Sequence, residues 1–148
     1  MEEPAIGLPV RGPTADDAEA LAVLMLDAYT GTIDFDETDT LDVARDEVRG
    51  YLSGDPLLEH SFLALDAGIP VAAALVSRYE GRPMIGYVMT AAAHKGRGLA
   101  TAVTRLALAS LHAAGERDVH LWVTRGNESA ERIYERLGFR DIPEGGDG

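Results

Sequence analysis

The chain has 148 residues, with 13 Lys+Arg against 25 Asp+Glu, a formal net charge of −12 and no cysteine. The length suffices for one domain with its own core, and the missing cysteines remove disulfide frameworks, thiolate zinc sites and cysteine nucleophiles together. The surplus of negative charge argues against a nucleic-acid partner and favours cationic small molecules or basic peptides.

Met1-Glu2-Glu3-Pro4 has neither the basic nor the apolar region of a secretory signal, and the best apolar run is only Val71–Val76. A cytoplasmic protein without a membrane partner is expected, with residues 1–148 forming a single domain. A short strand is expected near Ile6–Arg11. Thr14 followed by Asp17 resembles a capping box, and Ala18, Leu21, Met25 and Ala28 then recur at helical spacing, which predicts a helix to about Tyr29. Leu41, Ala44, Val48, Tyr51 and Leu52 mark a second helix that stops at Gly54. Between the two lies an acidic stretch with Asp34, Asp36, Glu37 and Asp39. Such a run is either an ordinary solvated loop or a surface that attracts a cationic amine.

The period then changes. Ser61–Leu65, Val71–Tyr79 and Met84–Thr90 are short apolar runs separated by Asp66-Ala67-Gly68 and Glu80-Gly81-Arg82-Pro83, which predicts three antiparallel strands. Leu99, Val103, Leu106, Ala107 and Leu111 lie on one face of a helix ending at Gly115. Val119–Thr124 reads as a fifth strand, with Trp122 as a core residue or a stacking surface. Ala130, Ile133, Tyr134 and Leu137 form a last helix, with Asn127 as a candidate N-cap and Gly138 as its C′ residue. The expected order is β-α-α-β-β-β-α-β-α.

The segment richest in chemistry is Lys95-Gly96-Arg97-Gly98-Leu99-Ala100-Thr101. Glycines between a strand and a helix expose consecutive backbone N–H groups, and the new helix adds its unpaired first-turn donors and the positive end of its dipole. His94, Lys95 and Arg97 gather positive charge there in an otherwise acidic chain. A pyrophosphate suits such a place, although a tight strand-to-helix turn would also need the glycines. The pattern GxxxxGK(S/T) of P-loop ATPases is absent. A dinucleotide GxGxxG is incomplete, because position 101 is Thr, and Arg125 stands where a ribose-binding acid would follow the next strand.

Lys95-Gly96-Arg97-Gly98-Leu99-Ala100 resembles the pyrophosphate loop of the GNAT N-acetyltransferase superfamily, Q/R-x-x-G-x-G/A, with Lys95 in place of Gln or Arg. Asn127, Ala130, Tyr134 and Gly138-Phe139 match a second motif of that superfamily, NxxAxxxYxxxGF. The resemblance implies an α/β (α+β) fold: a mixed, mostly antiparallel central sheet flanked by helices, with splayed fourth and fifth strands. It implies acetyl-CoA as donor and cosubstrate, no metal, and direct transfer to a primary amine of a small molecule or peptide. Val88, Met89 and Thr90 would pair with the pantetheine arm through strand backbone. Lys95, Gly96, Arg97, Gly98, Leu99, Ala100 and Thr101 would cradle the pyrophosphate, and Asn127 would contact the pantetheine or its strand. Tyr134 would protonate the departing thiolate, although its place on an apolar stripe is also what core packing requires. The general base stays open between His120, Glu80 and a water relay. By the same resemblance the acidic stretch borders the acceptor site, and a homodimer is an expectation. A non-catalytic acetyl-CoA-binding sensor would need the same loop without needing Tyr134.

Overall fold

The computed structural model describes residues 7–29, 40–121 and 128–139. Thr14 accepts the Asp16 N–H and Asp17 reaches back to the Thr14 N–H, a capping box that starts a 3-10 turn, Ala15–Asp17, running into α1, Ala18–Tyr29. Asp17 is also gripped by Arg11 through two hydrogen bonds of 2.8 Å, which hold its carboxyl below the usual carboxylate range. Helix α2, Leu41–Ser53, is capped by the Thr40 hydroxyl and closed at Gly54. The strands are β1 (Val10–Arg11), β2 (Phe62–Asp66), β3 (Ile69–Tyr79), β4 (Arg82–Thr90) and β5 (His120–Leu121). Helix α3 spans Leu99–Ala113 and α4 spans Glu128–Arg136. The expected element order is therefore found. Of the expected first and fifth strands, Ile6 and Trp122–Thr124 lie outside the described residues.

The five strands stand in sequence order, β1-β2-β3-β4-β5, antiparallel except for the parallel pair β4 and β5, which α3 connects. Both hairpin turns, Ala67-Gly68 and Glu80-Gly81, hold two central residues at positive φ, the geometry that matches the twist of paired strands. The central strand β3 reads as a continuous apolar run because both its faces are covered. Ala73 and Leu75 pack with Leu63 and Met89 against Leu21 and Met25 of α1 and Ala44 and Val48 of α2. Ala72, Ala74 and Val76 pack with Ile85 on the other face against Leu99, Val103, Ala107 and Leu111 of α3. The alanines of β3 let helices approach closely on both sides.

One irregularity bears on the site. Leu75 pairs with Tyr87 and Val76 with Ile85, so Gly86 is an extra residue in β4. This bulge changes the phase of the strand: Ile85 faces α3, whereas Tyr87 and Met89 face α1 and α2. Among the described residues β5 pairs with β4 only at Met84 and Ile85, before the bulge. Among the described residues no helix is long and apolar enough to cross a membrane.

Candidate active site

The C-terminal half of β4 and the turn into α3 bring most of the expected donor-binding residues together. Met89 and Leu99 are core residues, so only their backbone groups are available to a ligand. Val88 is half-buried, and its carbonyl accepts a hydrogen bond of 3.0 Å from the Tyr29 hydroxyl. After Thr90 the chain makes a 3-10 turn, Ala92–His94, and reaches the glycine loop.

Gly96 and Gly98 take φ values of +82° and +78°, in the left-handed region that an L side chain enters at a cost. A Cβ on either glycine would meet nothing within 4 Å, so the loop faces open space. Gly98 is the N-cap of α3 and offers no side chain to its first turn. The first helical bond runs from the Ala102 N–H to the Gly98 carbonyl at 3.0 Å, so the N–H groups of Leu99, Ala100 and Thr101 have no helical acceptor. These orphan donors and the positive dipole end make an anion cradle. Arg97 is exposed and makes no ion pair among the described residues.

Lys95 also bonds within the protein. Its Nζ donates at 2.9 Å to the carbonyl of Ala28, in the last turn of α1. Two further struts hold the same segment: the Ala92 N–H donates to the Asp27 carboxylate at 2.8 Å, and His94 Nε2 lies 3.0 Å from the Asp66 carboxylate. Among the described residues His94 Nδ1 is buried without a hydrogen-bond partner.

Tyr134 lies near the end of α4, half-buried. Its carbonyl accepts from the Phe139 N–H at 3.0 Å while that of Glu135 accepts from Gly138, which has φ +97°. These two bonds are a Schellman stop, and the Tyr134 and Phe139 rings meet edge to face with centroids 6.0 Å apart. The spacing Tyr-x-x-x-Gly-Phe therefore has a local cause: Gly138 ends the helix and Phe139 folds back on Tyr134.

His120 stands opposite Met84 at the start of β5, with Nε2 3.3 Å from Arg82 Nη1. A guanidinium only donates, so this contact makes Nε2 an acceptor. Glu80 sits in the β3–β4 turn beyond the Tyr79–Arg82 pair, at the opposite end of β4 from Thr90 and the glycine loop. Asn127, Trp122 and the acidic stretch at Asp34, Asp36, Glu37 and Asp39 lie outside the described residues.

Beside the Gly86 bulge a groove of about 590 Å³ opens between α2 and the far halves of β3 and β4, lined among others by Asp46, Glu47, Asp55, Tyr79 and Tyr87. The Tyr87 hydroxyl donates to Glu47 at 2.6 Å, and burial together with that carboxylate raises the phenol pKa well above its ordinary value. Sequence reasoning missed this groove; its one signal was a glycine inside a strand pattern.

Residues 67–145, 79 of the 148, match the family described as FR47-like protein. The chain belongs to that family. Within the GNAT superfamily it is 33% identical over 86 residues to N-alpha-acetyltransferase 30 of Schizosaccharomyces pombe, a match covering 55% of this chain and 57% of that protein. It is 49% identical over 45 residues to mycothiol acetyltransferase of Actinosynnema mirum, covering 30% of this chain and 15% of that protein. The chain thus spans little more than half the length of one of these relatives and a small part of the other. The fold matches that of a GNAT family acetyltransferase from Brucella melitensis in complex with acetyl-CoA, with a TM-score of 0.69 at 20% identity over 90% of this chain and 83% of that one. The expected mixed, mostly antiparallel sheet flanked by helices is the fold observed.

Proposed function

We propose that this chain, as one acetyltransferase domain, moves an acetyl group from acetyl-CoA directly to a primary amine. The observation that carries the reading is the open cradle at Gly96–Gly98, where three N–H groups at the start of α3, unpaired among the described residues, meet the end of β4. Family membership and the acetyl-CoA complex of the Brucella melitensis protein support the donor. In this reading the pyrophosphate takes the N–H groups of Gly98 to Thr101, with Arg97 as side-chain cation, and the pantetheine arm lies along Val88–Thr90.

The acceptor nitrogen attacks the thioester carbon, the C–N bond forms, the C–S bond breaks, and Tyr134 protonates the departing sulfur. The proton lost by the amine passes to water, because His120 Nε2 already accepts from Arg82. The chain has no cysteine, so an acetyl-cysteine intermediate is not available to it. The groove beside Gly86 has the volume of a small-molecule site, and its carboxylates favour an acceptor that approaches as an ammonium ion. Release of free thiol from acetyl-CoA in the presence of a panel of polyamines, amino sugars and peptides tests the reading. Turnover with at least one amine is expected; donor binding without turnover on any of them would contradict transferase activity.

A further inference from the structure

Two carboxylates hold the segment that leads into the anion cradle, and charge alone would make them a liability there. Asp27, exposed in the last turn of α1, accepts the Ala92 N–H at 2.8 Å, and Asp66, at the end of β2, lies 3.0 Å from His94 Nε2. A negative charge near a bound pyrophosphate lowers its affinity. We propose that Asp27 and Asp66 are positioning residues for the donor-binding loop, with Lys95 as a third strut. The inference rests on the acetyl-CoA reading above.

The contacts reach the segment from separate points of the fold. Asp27 fixes the first residue of the Ala92–His94 turn, and among the described residues the Ala92 N–H has no other acceptor. Asp66 fixes its last residue through a ring whose side chain is only 18% exposed. Lys95 Nζ, bound to the Ala28 carbonyl, fixes the next residue against α1. Three successive anchors over Ala92, His94 and Lys95 set the height and direction at which Gly96–Gly98 presents the free donors of α3. A loop that binds through backbone N–H groups gains affinity from being preorganised, because its ordering cost is met in the folded protein. One of the three donors of the Lys95 ammonium is thereby used within the protein, and the exposed Arg97 adds a second cation at the loop.

The sign of one mutational effect separates positioning from charge. Asp27→Ala removes charge and acceptor together, whereas Asp27→Asn removes the charge and keeps an oxygen for the Ala92 N–H. Calorimetry with acetyl-CoA is expected to show Asp27→Ala binding about fivefold more weakly than wild type and Asp27→Asn binding as tightly or more tightly. With S-acetylpantetheine, which lacks the pyrophosphate, the KM is expected to be the same for wild type and Asp27→Ala. Asp66→Ala and Asp66→Asn are expected to repeat the pattern. If both Asp27 variants bind acetyl-CoA more tightly, or both bind as wild type does, the carboxylate does not position the loop. Equal weakening toward both donors also overturns the proposal, because the effect is then general. Wild-type protein that binds no acetyl-CoA removes the function itself, an outcome distinct from wild-type binding with unaffected variants.

Discussion

The Tyr29 hydroxyl donates to the Val88 carbonyl at 3.0 Å, joining the last residue of α1 to β4 two residues before the strand ends. This bond fixes the edge expected to meet the pantetheine arm from the same helix end that carries Asp27 and Ala28. Tyr29→Phe keeps the ring and leaves a part-buried carbonyl with one partner fewer. A loss of about 1 kcal/mol in urea unfolding is expected. Unchanged stability would mean that water replaces the hydroxyl at no cost.

A second network lies under α2. Ser61 is fully buried; its Oγ accepts the Val76 N–H at 2.9 Å, donates to the Leu57 carbonyl at 2.9 Å and lies 2.9 Å from the Tyr51 hydroxyl. Ser61→Ala strands the Val76 N–H, and destabilisation of about 2 kcal/mol is expected by chemical denaturation. A cost below about 0.5 kcal/mol would show that the network relaxes around the loss.

The same network makes stability depend on alkali. Burial pushes the Tyr51 pKa from 10.0 up to about 12. The folded value exceeds the unfolded one, so this contribution is complete below pH 10 and is lost as the pH rises from 10 through 12, by about 2 to 3 kcal/mol. Urea titrations between pH 9 and about pH 12 should show that fall in the wild type and a shallower one in Tyr51→Phe. Equal slopes would remove Tyr51 as the cause.

Much of this architecture is legible from local signals. Thr14 with Asp17, the two turns ahead of β3 and β4, and Gly138 behind the last apolar stripe each act within a few residues, and each is found where the pattern puts it. The contacts that hold Ala92, His94 and Lys95 are not legible in that way. Asp27 is 65 residues from Ala92 and Asp66 is 28 from His94, and nothing in a carboxylate's immediate sequence says which N–H or ring it meets. Lys95 was readable as a cation but not as one committed to the Ala28 carbonyl. Gly86 hides its bulge because Met84–Thr90 is apolar enough to read as an uninterrupted strand, although the faces exchange within it. The Tyr-x-x-x-Gly-Phe spacing was readable as a family signature, and the structure adds its physical cause, a Schellman stop closed by two rings.

Tyr134→Phe keeps that ring contact and removes only the hydroxyl. If Tyr134 is the acid, kcat should fall by about 100-fold or more with the acetyl-CoA KM little changed. Unchanged kcat would assign Tyr134 to packing alone.

The cradle itself is tested by filling it. Gly98 has φ +78° and open space beside it, so Gly98→Ala should cost about 1 to 2 kcal/mol of stability from backbone strain without a clash. Gly98→Glu sets a carboxylate among the donors that would hold the pyrophosphate. The most direct measurement is calorimetric titration of wild type and Gly98→Glu with acetyl-CoA, with circular dichroism to establish that both are folded. Saturable binding at a single site by the wild type and its loss in Gly98→Glu are predicted; no binding by folded wild type, or equal binding by both, would contradict the account.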